Sequence, residues 1–106
     1  MAMAKNYVQA GGSITMPAPT GGSVAGVPQV IGSLAVMPLQ SGAKGTLITY
    51  RTCDVWRVPS SAGLKSGAKV SVLNGSLVAD GTPDALPYGK QLTDTVDGFA
   101  DVLIVQ

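Results

Sequence analysis

The sequence predicts an all-β fold: a small β-barrel or a two-layer β-sandwich, with an extended N-terminal arm. Three observations carry this. Glycine and proline, 14 and 7 of 106 residues, recur so often that almost no window between them is long enough for an amphipathic helix of three turns. Between these breaks run short segments with β-branched or aromatic residues at about every second position, which suits a pleated, half-buried surface. One pair of such segments flanks Asn74-Gly75, the dipeptide that most readily supplies the two positive-φ residues of a type I′ hairpin turn.

In chain order, residues 1–12 form the arm and residues 13–106 a single β-domain. The arm holds the short extended piece from Lys5 to Gln9 and then Gly11-Gly12. Residues 13–16 alternate as a strand and stop at Pro17 and Pro19, after which residues 20–26 form a loop. Residues 28–36 resume as a strand region broken by Gly32, and residues 38–45 turn the chain into its longest extended segment, residues 46–59. That segment is predicted as one long strand ended by Pro59, which cannot donate to a ladder. Ile48, Tyr50, Thr52, Asp54, Trp56 and Val58 would share one face, and Leu47, Thr49, Arg51, Cys53, Val55 and Arg57 the other. Neither face is apolar throughout, so a bulge near Cys53 and Asp54 is expected to bend it.

After a turn at residues 60–63, the strands of residues 69–73 and 76–79 make the hairpin around Asn74-Gly75. Residues 80–87 read as a loop, residues 89–95 as a short strand, Asp97-Gly98 as a turn and residues 101–106 as a terminal strand. The apolar run of that last strand implies that its edge is covered. A faint echo between residues 26–48 and 67–104 suggests two related sheet layers.

At this length the chain buries roughly two thirds of its unfolded surface, enough to fold without staples. The core must come from aliphatic side chains because aromatics are 5% of the residues, leaving little room for a deep ligand pocket. A net charge of +1, with 12% charged residues and the basic ones scattered, argues against nucleic acid as the main partner. Mean hydropathy is positive, at +0.31, yet no apolar run approaches the length of a membrane-spanning helix or a signal peptide. The excess apolarity is therefore assigned to interfaces. The single Cys53 cannot form an internal disulfide, which fits synthesis in a reducing cytoplasm.

The sequence offers little to catalysis. It has no histidine and no glutamate, which removes the commonest general base, triad member and zinc ligand. Asp94, Asp97 and Asp101 cluster without the alternating spacing of a calcium loop, and a solvated turn is the simpler reading. The stretches around Lys44 and Lys65 lack the spacing of a phosphate-binding loop and a helix to follow, so both read as turns. Cys53 has no histidine to activate it and reads as a small buried hydrophobe. No catalytic residue, cofactor or metal site is expected. Trp56 is either core or an interface anchor, with core favoured.

The opening block Ala4-Lys5-Asn6-Tyr7-Val8-Gln9 with Gly11-Gly12, then Ile14-Thr15, residues 26–32, the end of the long segment from Asp54 to Pro59, and residues 64–70 together resemble the small capsid decoration, or cement, proteins of tailed bacteriophages. Members more often place glycine where this chain has Asp54. The resemblance implies a non-enzymatic, β-tulip-like β-fold on the outer surface of the virion, made in the host cytoplasm. It would bridge neighbouring major capsid proteins and stabilise the head, with no part for nucleic acid or membrane. A homo-trimer on local symmetry axes is expected, with a dimer as the alternative. Lys5, Asn6, Tyr7, Val8 and Gln9, suited to strand addition or groove binding, and Trp56 are the candidate contacts. A small carbohydrate-binding or host-adhesion module is the other reading. It needs aromatic platforms, for which the chain offers only Tyr7, Tyr50, Trp56, Tyr88 and Phe99.

Overall fold

The computed structural model describes residues 11–106, and within them every regular element is a strand. The first four are β1 (Ser13–Pro17), β2 (Gln29–Ile31), β3 (Leu34–Pro38) and β4 (Leu47–Arg51), which form an antiparallel sheet in the order β1-β4-β3-β2. The remaining five are β5 (Val55–Pro59), β6 (Lys69–Leu73), β7 (Ser76–Ala79), β8 (Leu86–Gln91) and β9 (Phe99–Ile104), in the order β5-β9-β8-β6-β7. The two sheets pack as a sandwich, not as a closed barrel. An isolated parallel bridge between Ser60 and Leu77 curls the larger sheet until its two outer strands touch at one point.

The long segment of residues 46–59 is two strands in different sheets, a correction to the single bent strand expected. The break falls where the bulge was placed: Asp54 has φ +82°, a left-handed conformation that glycine adopts freely and most side chains resist. Asp54 tolerates it while pairing with Arg51 at 2.5 Å. The break does more than bend a strand, because the chain leaves β4 and enters β5 on the edge of the opposite sheet.

Local turn chemistry explains the hairpins. Asn74 and Gly75 have φ +51° and +80°, and Leu73 faces Ser76 across the β6-β7 turn. Asp97 and Gly98 repeat that geometry at +54° and +81° and bridge Val96 to Phe99. Gly32 at +66° turns β2 into β3. The strand expected over residues 89–95 begins earlier and ends earlier, at Leu86–Gln91. The terminal strand begins at Phe99 and lies between β5 and β8, so its apolar run is covered along both edges.

Two clusters form the core. In the larger, Val58, Val70, Val72, Leu77, Tyr88, Val102 and Ile104 from the five-stranded sheet meet Ala35 and Met37 of β3. The smaller lies on the opposite face of β3, where Val36 packs with Ala18, Ile48 and Tyr50. Strand β3 is thus buried on both faces, and each large aliphatic side chain so enclosed contributes about 1.5–3 kcal/mol. The sheets are stitched by polar groups. The Tyr88 hydroxyl donates to the Val36 carbonyl at 2.8 Å, and burial pushes the phenol pKa well above its ordinary value. Gln91, fully buried, donates to the carbonyls of Leu64 and Thr93 and accepts from Ser60, tying three loops to the end of β8.

Candidate functional site

Cross-strand register assigns each residue of β5 and β9 to a face. Trp56 faces Val102 and Val58 faces Ala100, with Val102, Val58 and Ala100 buried, so this is the inner face. Val55 with Leu103, Arg57 with Asp101, and Pro59 with Phe99 point outward. Leu92, whose N–H donates to the Asp101 carbonyl at 2.8 Å, extends this outer row onto the continuation of β8.

The outer face is a largely apolar strip with one ion pair across it and the exposed Lys90 opposite Leu103 at its β8 margin. Val55, Leu92, Phe99 and Leu103 are 49%, 45%, 50% and 36% exposed, and Val96 at the adjoining turn is 64% exposed. Between the two ends, Arg57 Nε donates to Asp101 Oδ1 at 2.8 Å. This hydrogen bond raises the guanidinium pKa and holds the Asp101 carboxyl below its ordinary value. Three strands wide and about five residues long, the strip measures roughly 14 by 17 Å on standard strand spacings. It continues into an open depression of about 450 Å³ beside the Asp97 turn.

The aspartates of this depression have structural employment. Asp94 accepts from the Ser66 N–H at 2.8 Å, Asp101 holds Arg57, and Asp97 occupies the left-handed turn. Among the described residues no three His, Cys, Asp or Glu side chains are grouped to hold a metal ion. Every buried side-chain nitrogen and oxygen described has a hydrogen-bond partner. Near Lys65, the Ser66 N–H that an anion would use already serves Asp94. Cys53 sits in the break between β4 and β5, half-buried rather than buried, with its sulfur 3.6 Å from an Arg51 nitrogen.

The sequence-derived contact residues divide unevenly. Lys5, Asn6, Tyr7, Val8 and Gln9 lie outside the described residues, while Gly11 and Gly12 accept hydrogen bonds from Thr52 at the end of β4. Trp56 packs half-buried against the larger core, with its indole N–H donating to the Cys53 carbonyl at 3.0 Å. Sequence reasoning missed the outer strip. Val55 and Leu103 are 48 residues apart, and alternation alone does not say which face of a strand meets solvent.

The aromatic platform that a carbohydrate module needs is not assembled by the described residues: Tyr50 and Tyr88 are buried and Trp56 faces inward, leaving Phe99. No helix among them is long and apolar enough to cross a membrane. Compared with protein-family models, with curated proteins and with solved structures, the chain matches none.

Proposed function

We propose that this chain is a non-enzymatic structural protein of a tailed-phage virion, one that binds the outside of the assembled capsid, bridges major capsid proteins and stabilises the head. The observation that carries the reading is the exposed outer strip of β5, β9 and β8, where Val55, Leu92, Phe99 and Leu103 lie around the Arg57–Asp101 ion pair with Lys90 at one margin. Its roughly 240 Å² footprint on standard strand spacings falls well below the ~800 Å² per partner of a stable soluble complex. A contact of that size is weak alone and becomes effective on a repetitive shell, where many copies engage at once. The N-terminal block Ala4 to Gln9 supports the same reading by its resemblance to decoration proteins.

The test is co-sedimentation of the full chain with assembled shells of a tailed-phage major capsid protein, next to a glycan-array screen. Retention on shells, with a rise in the temperature at which they rupture, is expected. Absence of retention, or selective glycan binding in its place, overturns the proposal. Leu103→Lys puts a second cation beside Lys90 on the central strand of the strip and is expected to weaken retention about tenfold or more while leaving the melting curve of the free protein nearly unchanged.

A further inference from the structure

Among the described residues, the edge of strand β5 away from β9 is unpaired at Val55 and Arg57. The bonds Ser60 N–H to Gly98 O and Asp54 O from Ile104 N–H set the phase of the ladder, so the even residues of β5 point their N–H and C=O groups at β9. Those of Val55 and Arg57 point away from it, since antiparallel strands alternate in this way. Among the described residues β7 also reaches this edge, touching it at Ser60. Among the described residues, Val55 and Arg57 therefore present two donors and two acceptors to solvent. The other edges are less open. The Leu77 carbonyl of β7 accepts from Ser61 and the Ala79 carbonyl from Thr82, β2 offers only Val30 in the corresponding phase, and Thr15 of β1 already has a partner.

We infer that the β5 edge is a self-association site, pairing antiparallel with β5 of a second copy across a two-fold axis at Trp56. The edge is self-complementary in one register. Val55 of each copy lies opposite Arg57 of the other, and the two positions exchange all four outward backbone bonds. The two Trp56 side chains then face each other across the axis as a non-hydrogen-bonded pair, the closer of the two antiparallel spacings, where aromatic pairs add stability. Trp56 is half-buried on the inner face in a single copy, so pairing covers the remaining ring surface. Each Arg57 keeps Asp101 as its counter-ion on the outer face, which offsets repulsion between the two guanidiniums on the diagonal. Pro59 ends the edge, limiting pairing to this short register and preventing open-ended sheet growth.

The pairing uses the edge of β5 and leaves the outer strip to another partner. It is the dimeric alternative to the trimer expected from the sequence, and it requires no capsid, so its failure is distinguishable from failure of the proposed function.

Sedimentation equilibrium of the full chain over a concentration series tests it, comparing wild type with Arg57→Pro and Arg57→Ala. Proline removes the outward N–H of residue 57 and leaves the β9 ladder intact; alanine removes the charge and keeps the N–H. A monomer–dimer equilibrium is expected for wild type, weakened about tenfold or more by Arg57→Pro and within about threefold of wild type for Arg57→Ala. Hydrogen exchange on the wild type gives a reading independent of whether the proline variant folds. The amides of Val55 and Arg57 gain protection as concentration rises, and the amide of Trp56, already bonded to β9, does not. A strictly monomeric or trimeric wild type, a folded proline variant that associates like wild type, or amides whose protection is independent of concentration each overturns the inference.

Discussion

Replacing Gln106 with alanine should destabilise the protein by more than a residue at its exposed position ordinarily does, because its amide substitutes for a missing strand. Strand β3 pairs with β4 only at Met37 and Pro38; one step earlier, at Ala35, β4 has already left for the other sheet. The Ala35 N–H and C=O would be stranded there at 1% exposure. Gln106 fills the gap: its Oε1 accepts from Ala35 N–H at 3.0 Å, and its Nε2 donates to the carbonyls of Ala35 at 2.6 Å and Thr52 at 2.9 Å. A satisfied bond is worth about 0.5–1.5 kcal/mol net and a shielded group left without a partner costs about 1–3 kcal/mol. Partial access of water to the vacated space offsets some of this, leaving about 2 kcal/mol for Gln106→Ala. At roughly 4–8 °C per kcal/mol for a domain near this size, the melting temperature should fall by about 8–16 °C. Denaturant unfolding should show an unchanged slope and a lower midpoint, and hydrogen exchange should show faster exchange at Ala35. Gln106→Glu should not rescue, since it keeps the acceptor for Ala35 N–H but sets a carboxylate against two carbonyls. A fall of less than about 2 °C for the alanine variant would refute the argument that the side-chain amide completes the sheet.

Two further outcomes follow from the same geometry. Gly89→Ala should be severely destabilising, since a Cβ built there would lie 2.0 Å from the Leu103 carbonyl oxygen on β9; thermal unfolding should show the loss, and a melting temperature near wild type would contradict it. Asp101→Asn should flatten the acid side of the stability curve. Held below its ordinary pKa by the Arg57 hydrogen bond, Asp101 stabilises the fold fully above pH ~4 and loses that contribution as pH falls through the lowered value. Wild type should therefore lose more stability between pH 7 and pH ~3 than the variant, a difference that denaturant midpoints at the two values measure.

What the sequence disclosed was whatever is decided within a few residues. The Asn74-Gly75 hairpin has the strand limits expected of it, because the left-handed conformations it needs are local properties of asparagine and glycine. The Asp97-Gly98 turn was legible for the same reason. The break near Asp54 was legible as a break, and its consequence was not: alternation assigns residues to the two faces of a strand and carries no information on which sheet the strand joins. Leu86 and Pro87 read as loop because proline argues against a central strand, yet a register shift between Val70 and Ser71 accommodates the irregular start of β8. Gln91 and Gln106 gave no local signal at all, since the groups they satisfy are supplied by loops and by a strand 71 residues away.

The crossover at residues 52–54 creates two unpaired stretches of backbone, and the fold treats them differently. On one side, β3 loses its neighbour at Ala35, a position sealed between the sheets; a buried donor and acceptor cannot be left unmet there, and the amide of Gln106 meets them from within the chain. On the other side, the chain enters the larger sheet at its edge, where the groups of Val55 and Arg57 face water and hydration suffices in a single copy. No described residue is recruited to cover them. An edge that water can satisfy is also one that another strand can satisfy, and the side chains around it, an inward-facing tryptophan with surface still exposed and an arginine already neutralised by Asp101, lower the cost of that exchange. The two stretches are therefore separable by substitution: Gln106→Ala acts on stability with self-association unchanged among the folded molecules, whereas Arg57→Pro acts on self-association through an N–H that the isolated fold does not use.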